Sequence, residues 1–147
     1  MLKLSRLTDY AVAALVRLSA AEGVETSPGI AASIGVPEPT VAKVLKALAG
    51  QGLVCSMRGA RGGYKLRRAL QEISVAEVIC AIDGPIALTS CVEGGGCESQ
   101  SLCPIVGRWD PVNEAIRTAL SNISLADMAA AALPPGLRLP QPINEVV

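Results

Sequence analysis

Cys91, Cys97 and Cys103 recur evenly, with five residues between neighbours, in a stretch (86–104) rich in glycine and serine. Thiolates are soft donors that select iron–sulfur clusters, zinc or copper(I). Structural zinc ordinarily arrives as closer cysteine pairs with four protein ligands. Cysteines spread along a loop can instead wrap a polynuclear cluster, and Cys103-Pro104 echoes the Cys-Pro of some cluster loops. An odd count of three is a poor basis for disulfides. The spacing alone leaves four readings open: a cluster, another metal, a thiol redox switch, or bystanders. The remaining two cysteines are expected to be ordinary small packing residues, Cys80 on the apolar stripe of a helix and Cys55 in a strand.

Catalysis has little to work with. The chain has no histidine for general base chemistry, no Cys-x-x-Cys pair and no phosphate loop. A small thiol enzyme or a cluster carrier is therefore disfavoured, and a carrier would have no use for the basic segment described next. The expected class is a non-enzymatic binding protein.

Net charge is zero over the chain, yet it divides sharply. Residues 1–73 hold ten Lys or Arg against five acids; residues 74–147 hold three against eight. A basic half points to an anionic partner engaged there. The elements in that half are of a matching kind. A helix is expected from Leu7 to about residue 21, with Thr8 as its cap and Leu7, Ala11, Leu15 and Leu18 as its stripe. Thr26 or Ser27 caps a second helix with Pro28 at its start, and Gly35-Val36-Pro37 turns the chain. A third helix runs from 38 or 39 to 49, its inner side formed by Val41, Val44, Leu45 and Leu48, with Gly50 just beyond. Helix, glycine turn and helix in succession make a helix-turn-helix. The period then changes to two, and residues 52–66 read as a β-hairpin with a glycine-rich, basic tip.

A third helix presented N-terminus first fits the major groove, about 12 Å wide. Pro39, Thr40, Lys43 and Lys46 are not needed for its core. Thr40 suits a base edge or a thymine methyl, and the lysines suit phosphates. Arg58 and Arg61 at the hairpin tip are long enough for an adjacent minor groove. Tyr64 either donates its hydroxyl to a phosphate or packs beneath the hairpin.

Beyond residue 73, Ser74 caps a helix ending at Asp83-Gly84-Pro85, with Val75, Val78, Ile79 and Ile82 inward. A further helix is expected over 111–121, with Val112, Ala115, Ile116, Ala119 and Leu120 on one apolar side. Ser124 caps a short last helix. Pro134, Pro135, Pro140 and Pro142 argue for a loose tail over 132–147. With no Phe, one Trp and two Tyr, the core must be built from Leu, Ile, Val and Ala, which suits a mainly α protein. The organisation expected is a winged helix-turn-helix over 1–73, a helix, cysteine loop and second long helix over 74–131, and the tail. No uncharged apolar run approaches the roughly 18 residues of a membrane span. Lys3, Arg6 and the apolar residues after them faintly imitate a leader, but Asp9 and Arg17 interrupt them at amphipathic-helix spacing. A cytoplasmic protein without membrane contact is expected.

Several runs together resemble a known family: residues 1–10, 40–48, 58–64, 73–79 and 123–128, with the triad Cys91/Cys97/Cys103. They are similar to the bacterial Rrf-two family of transcriptional regulators, and within it to the regulators of SUF iron–sulfur assembly genes, over about residues 1–131. The resemblance implies a homodimer joined through the C-terminal helix near 111–121, with an iron–sulfur cluster between that helix and the DNA-binding domains. It further implies that cluster state sets affinity for a double-stranded operator controlling iron–sulfur assembly genes. IscR-type members carry a histidine three residues after the third cysteine; Val106 stands there. In NsrR-type members an aspartate near the start of the first helix, from the other subunit, ligates the cluster, and Asp9 matches it. Asp9 is equally well read as a first-turn charge favoured by the helix macrodipole. Glu93, Glu98, an external thiol or water are weaker substitutes. Three thiolates with a carboxylate suit either [2Fe–2S] or [4Fe–4S]. The alternative is a cluster-free regulator, thiol-redox or otherwise metal-responsive.

Overall fold

The computed structural model describes residues 3–92 and 97–130. The expectations for the 132–147 tail and for Glu93 lie outside the described residues. Six helices and one hairpin make up the order: α1 (Arg6–Ala20), α2 (Ser27–Ile34), α3 (Glu38–Gly50), β1 (Val54–Met57), β2 (Gly63–Leu66), a 3-10 turn (Leu70–Glu72), α4 (Val75–Asp83), α5 (Asp110–Ser121) and α6 (Leu125–Ala129). The mainly α expectation holds, with the hairpin as its small antiparallel sheet.

Four of the six helix starts follow side-chain oxygens. The cap of α1 is Ser5 rather than Thr8: the Ser5 hydroxyl accepts the Thr8 N–H at 3.2 Å. Thr8 is buried, so its methyl packs inside while its hydroxyl donates to Asp83 Oδ2 at 2.8 Å. Both residues are good caps in sequence; only the one with extended backbone can serve. Thr26 caps α2, with Pro28 in its first turn, and Gly35 ends it in the left-handed region at φ 70°. Helix α3 includes Gly50, and the break falls at Gly52, φ 72°.

The core is one cluster that spans the 73/74 boundary. Leu15, Ile30, Val41, Leu45, Leu48, Leu53, Ile73, Val78 and Leu125 are all 1% exposed or less. Leu, Ile and Val side chains of this size each contribute about 1.5–3 kcal/mol when buried. Helix α1 is the central piece, packing on α2, α3, α4 and α6. Two similar runs, Ile73-Ser74-Val75 and Ile123-Ser124-Leu125, pair side by side. Val75 N–H donates to Ile123 O at 2.9 Å and Leu125 N–H to Ile73 O at 2.8 Å. Each serine then opens a helix with a reciprocal capping box, Ser74 with Glu77 and Ser124 with Asp127.

One expectation fails on facing. Cys80 is exposed, because α4 buries Val75, Ala76, Val78 and Ile79, and one further 100° step carries Cys80 to the outside. In α5 the only buried residue is Asn113; Ile116 and Leu120 are half-buried, while Val112, Ala115 and Ala119 lie open. Within this chain α5 packs chiefly on α4, which covers only part of its apolar side.

Candidate DNA-binding surface and cysteine loop

Helix α3 is held at its start and along its inner side. Ser27, first in α2, donates its hydroxyl to Glu38 Oε1, first in α3, at 2.7 Å. Val41, Val44, Leu45 and Leu48 anchor the inner side of α3. Pro39, Lys43 and Lys46 are exposed on its outer side, and Thr40 is half-buried at its start. One solvent face therefore carries all four expected readers.

Arg58 and Arg61 stand exposed on the hairpin tip. The hairpin is not free-standing. Tyr64 N–H donates to Glu25 O at 2.7 Å and Glu25 N–H to Tyr64 O at 2.9 Å, which lays the segment between α1 and α2 alongside β2. Glu25 also pairs with Arg17 on α1 at 3.0 Å. Tyr64 is half-buried with its ring packed against the core, the second of its two expected roles. Nothing in the local sequence signalled Glu25, since its partners lie eight and thirty-nine positions away.

Gly63 makes that contact possible: a Cβ there would collide with the Glu25 carbonyl and the Val24 side chain. Gly63→Ala is expected to cost about 1–3 kcal/mol by overpacking. It should also tilt the hairpin, lowering DNA affinity about tenfold as tip phosphate contacts are lost. Circular dichroism would show the helices intact, and a gel-shift titration would show the loss.

Arg68 joins the end of the hairpin to α4, donating to Glu77 Oε1 at 2.6 Å. Burial pushes the Glu77 carboxyl up, but hydrogen bonds from the Ser74 N–H and from Arg68, with the arginine's charge, outweigh it and hold the group below the ordinary glutamate value. Its ion pair therefore stays formed at neutral pH.

The cysteines of the loop are free thiols, each half-buried. Thr89 Oγ1 and Cys91 Sγ lie 3.1 Å apart in a turn closed by Val92 N–H donating to Thr89 O at 3.3 Å. Val92 itself is buried. By type, three unbridged thiols on one loop suit a cluster. By position they are not yet a site: among the described residues no three of His, Cys, Asp or Glu gather tightly enough to hold a metal. Asp9 is exposed in the first turn of α1 and does not complete such a group. Around and after the third cysteine the surface is apolar, with Leu102 89% exposed and Ile105, Val106, Trp109 and Val112 also open. Among the described residues no helix is long and apolar enough to cross a membrane.

Comparison with known proteins places this geometry. The model of the Rrf2 family, described as iron-dependent transcriptional regulators, matches residues 4–131. The HTH-type transcriptional regulator IscR of Klebsiella pneumoniae strain 342 is 35% identical over 130 residues, spanning 84% of this chain and 78% of that protein. The structure of T. potens IscR superposes with a TM-score of 0.60 at 32% identity, covering 86% of this chain and 85% of that one. CymR, the global cysteine regulator of B. subtilis, superposes with a TM-score of 0.67 at 27% identity, covering 88% and 97%. The winged helical architecture is thus that of transcription regulators rather than enzymes. The chain belongs to the Rrf2 (Rrf-two) family of DNA-binding transcriptional regulators.

Proposed function

We propose that the protein is a homodimeric, cytoplasmic regulator whose affinity for a double-stranded operator follows an iron–sulfur cluster held by Cys91, Cys97 and Cys103. Asp9 of the second copy is the fourth ligand in this reading, and iron–sulfur assembly genes are the targets. The observation that carries it is three free, half-buried thiols on one loop in a chain similar to IscR regulators.

The chain's own residues do the reading. Residues 1–73 act as the head: α3 enters the major groove, Pro39 and Thr40 meet base edges, and Lys43 and Lys46 hold phosphates. Arg58 and Arg61 reach the neighbouring minor groove, and Tyr64 seats the hairpin that carries them. Residues 74–131 supply the sensor and the dimer contact, for which the open side of α5 (Val112, Ala115, Ala119) is the apolar surface. Two heads read half-sites about one helical turn apart, roughly 34–36 Å, so a small rotation between them changes specific binding. A bound cluster would supply sensitivity to oxidants, nitric oxide and iron shortage.

A cluster-free thiol or metal regulator is the second reading, favoured by the likeness to CymR, the global cysteine regulator of B. subtilis. Anaerobic purification decides between them. Brown protein carrying iron and sulfide in equal amounts supports the cluster, as [2Fe–2S] or [4Fe–4S]. Colourless protein that takes up neither on reconstitution rejects it.

A further inference from the structure

Asn113 is the one buried residue of α5, 2% exposed, on a helix whose apolar residues stand half or fully open. Burial alone would favour a leucine or valine there, since an amide must be fully bonded to be tolerated inside. Asn113 is bonded at both ends. Its Nδ2 donates to Ile86 O at 2.9 Å, and its Oδ1 accepts the Leu88 N–H at 2.9 Å. The side chain thus grips two backbone groups in the first residues of the cysteine loop, three to five positions before Cys91.

A second polar contact, from buried Thr8 to exposed Asp83, grips the same segment from the other side. Asp83 ends α4, and Gly84 turns the chain out of it at φ 84°. Asp83 Oδ2 accepts the hydroxyl of Thr8, 1% exposed, at 2.8 Å, across seventy-five positions of sequence. The Thr8 hydroxyl also lies 3.2 Å from the Ser5 hydroxyl that caps α1, and the next residue is Asp9. Residues 83–88 are therefore held by α5 at one end and by the first turn of α1 at the other.

We propose that Asn113 and Thr8 are positioning residues that clamp this root segment, so that a displacement of the cysteine loop reaches the start of α1, and with it the reading head, through Asp83. The physical ground is that each clamp is anchored by a buried side chain, Asn113 or Thr8, that both contacts are non-local, and that they attach to opposite ends of one six-residue segment. Loosening one end changes what the other can hold. As a signal route the clamp rests on the function proposed above; as a mechanical link it does not.

The test uses the full chain, reduced and metal-free, so it stands whether or not a cluster binds. Two readouts are followed: the rate at which N-ethylmaleimide labels Cys91, with half-buried Cys55 in β1 as internal control, and amide exchange at Asp9 and Tyr10. Asn113→Ala removes both loop bonds and should speed Cys91 labelling about tenfold. It should also speed exchange at Asp9 and Tyr10, which it does not touch. Thr8→Val, nearly the same shape without the hydroxyl, should speed Cys91 labelling about threefold from the far side. Asp83→Asn keeps an acceptor for Thr8 and should label like the unaltered protein, which guards against a variant that merely fails to fold. Cys55 labelling should stay constant throughout. If Thr8→Val leaves Cys91 labelling unchanged, or if Cys55 speeds up in step with Cys91, the clamp transmits nothing and the proposal is overturned. Failure to bind iron and sulfide would sink the cluster reading while leaving these rates to be judged on their own.

Discussion

A variant with Lys43, Lys46, Arg58 and Arg61 all changed to alanine is expected to lose nearly all DNA binding while keeping its fold. All four side chains are exposed, and none takes part in a described ion pair. Their removal should leave stability within about 0.5 kcal/mol per site. On DNA the consequence is large. With about six phosphates neutralised per dimer, log affinity should fall with log salt at a slope near −5, about 0.9 per contact. Removing only Lys43 and Lys46 takes away four contacts per dimer and should flatten the slope to about −2. The measurement is a salt series of gel shifts on a duplex selected from a random pool by the unaltered protein. Thr40→Ala should behave differently: a change of about 1–3 kcal/mol in discrimination between sequences, with the slope preserved. An unchanged slope in the lysine variant would mean that α3 does not face DNA.

Changing Cys91, Cys97 and Cys103 together to alanine is expected to abolish iron and sulfide uptake and to uncouple DNA binding from cluster loading. None of the three belongs to the hydrophobic core, so thermal unfolding of the metal-free protein should barely move. If loading controls affinity, loaded and unloaded forms of the unaltered protein should differ about 5- to 150-fold on the same operator. In the triple variant that ratio should collapse to one. A ratio that survives the triple change would show that the signal enters elsewhere. Asp9→Ala separates the two roles open to that residue. As a ligand, its loss should leave the cluster bound through three thiolates but stripped faster by a chelator. As a first-turn charge, its loss should cost about 0.3–1 kcal/mol of stability and leave iron content alone.

Much of the head was legible before any fold was known, because it depends on short-range rules. The helix-turn-helix follows from the spacing of Ile30, Val41, Val44, Leu45 and Leu48, from the left-handed Gly35, and from the Thr26 cap, all within one or two turns of one another. The hairpin follows from a change of period around a glycine-rich tip. Errors began where two local options were equally good or where a facing depended on a neighbour. Ser5 and Thr8 are both sound caps; the extended residue, Ser5, serves, while the Thr8 hydroxyl bonds Asp83 far along the chain. Cys80 belongs to an apolar run, but its side of α4 is exposed.

By itself the order of residues determined the class of protein: a basic helical reader at the front, a soft-donor triad behind it, and no catalytic constellation. Those properties are carried by residue type and by spacings shorter than about a dozen positions. The tertiary structure decided how the parts are joined: Glu25 under the wing, Asn113 inside α5 holding Ile86 and Leu88, Thr8 reaching Asp83. Each is a polar contact between residues twenty-five or more apart, where the pairing is selected by the packed core and leaves no periodic trace in the chain.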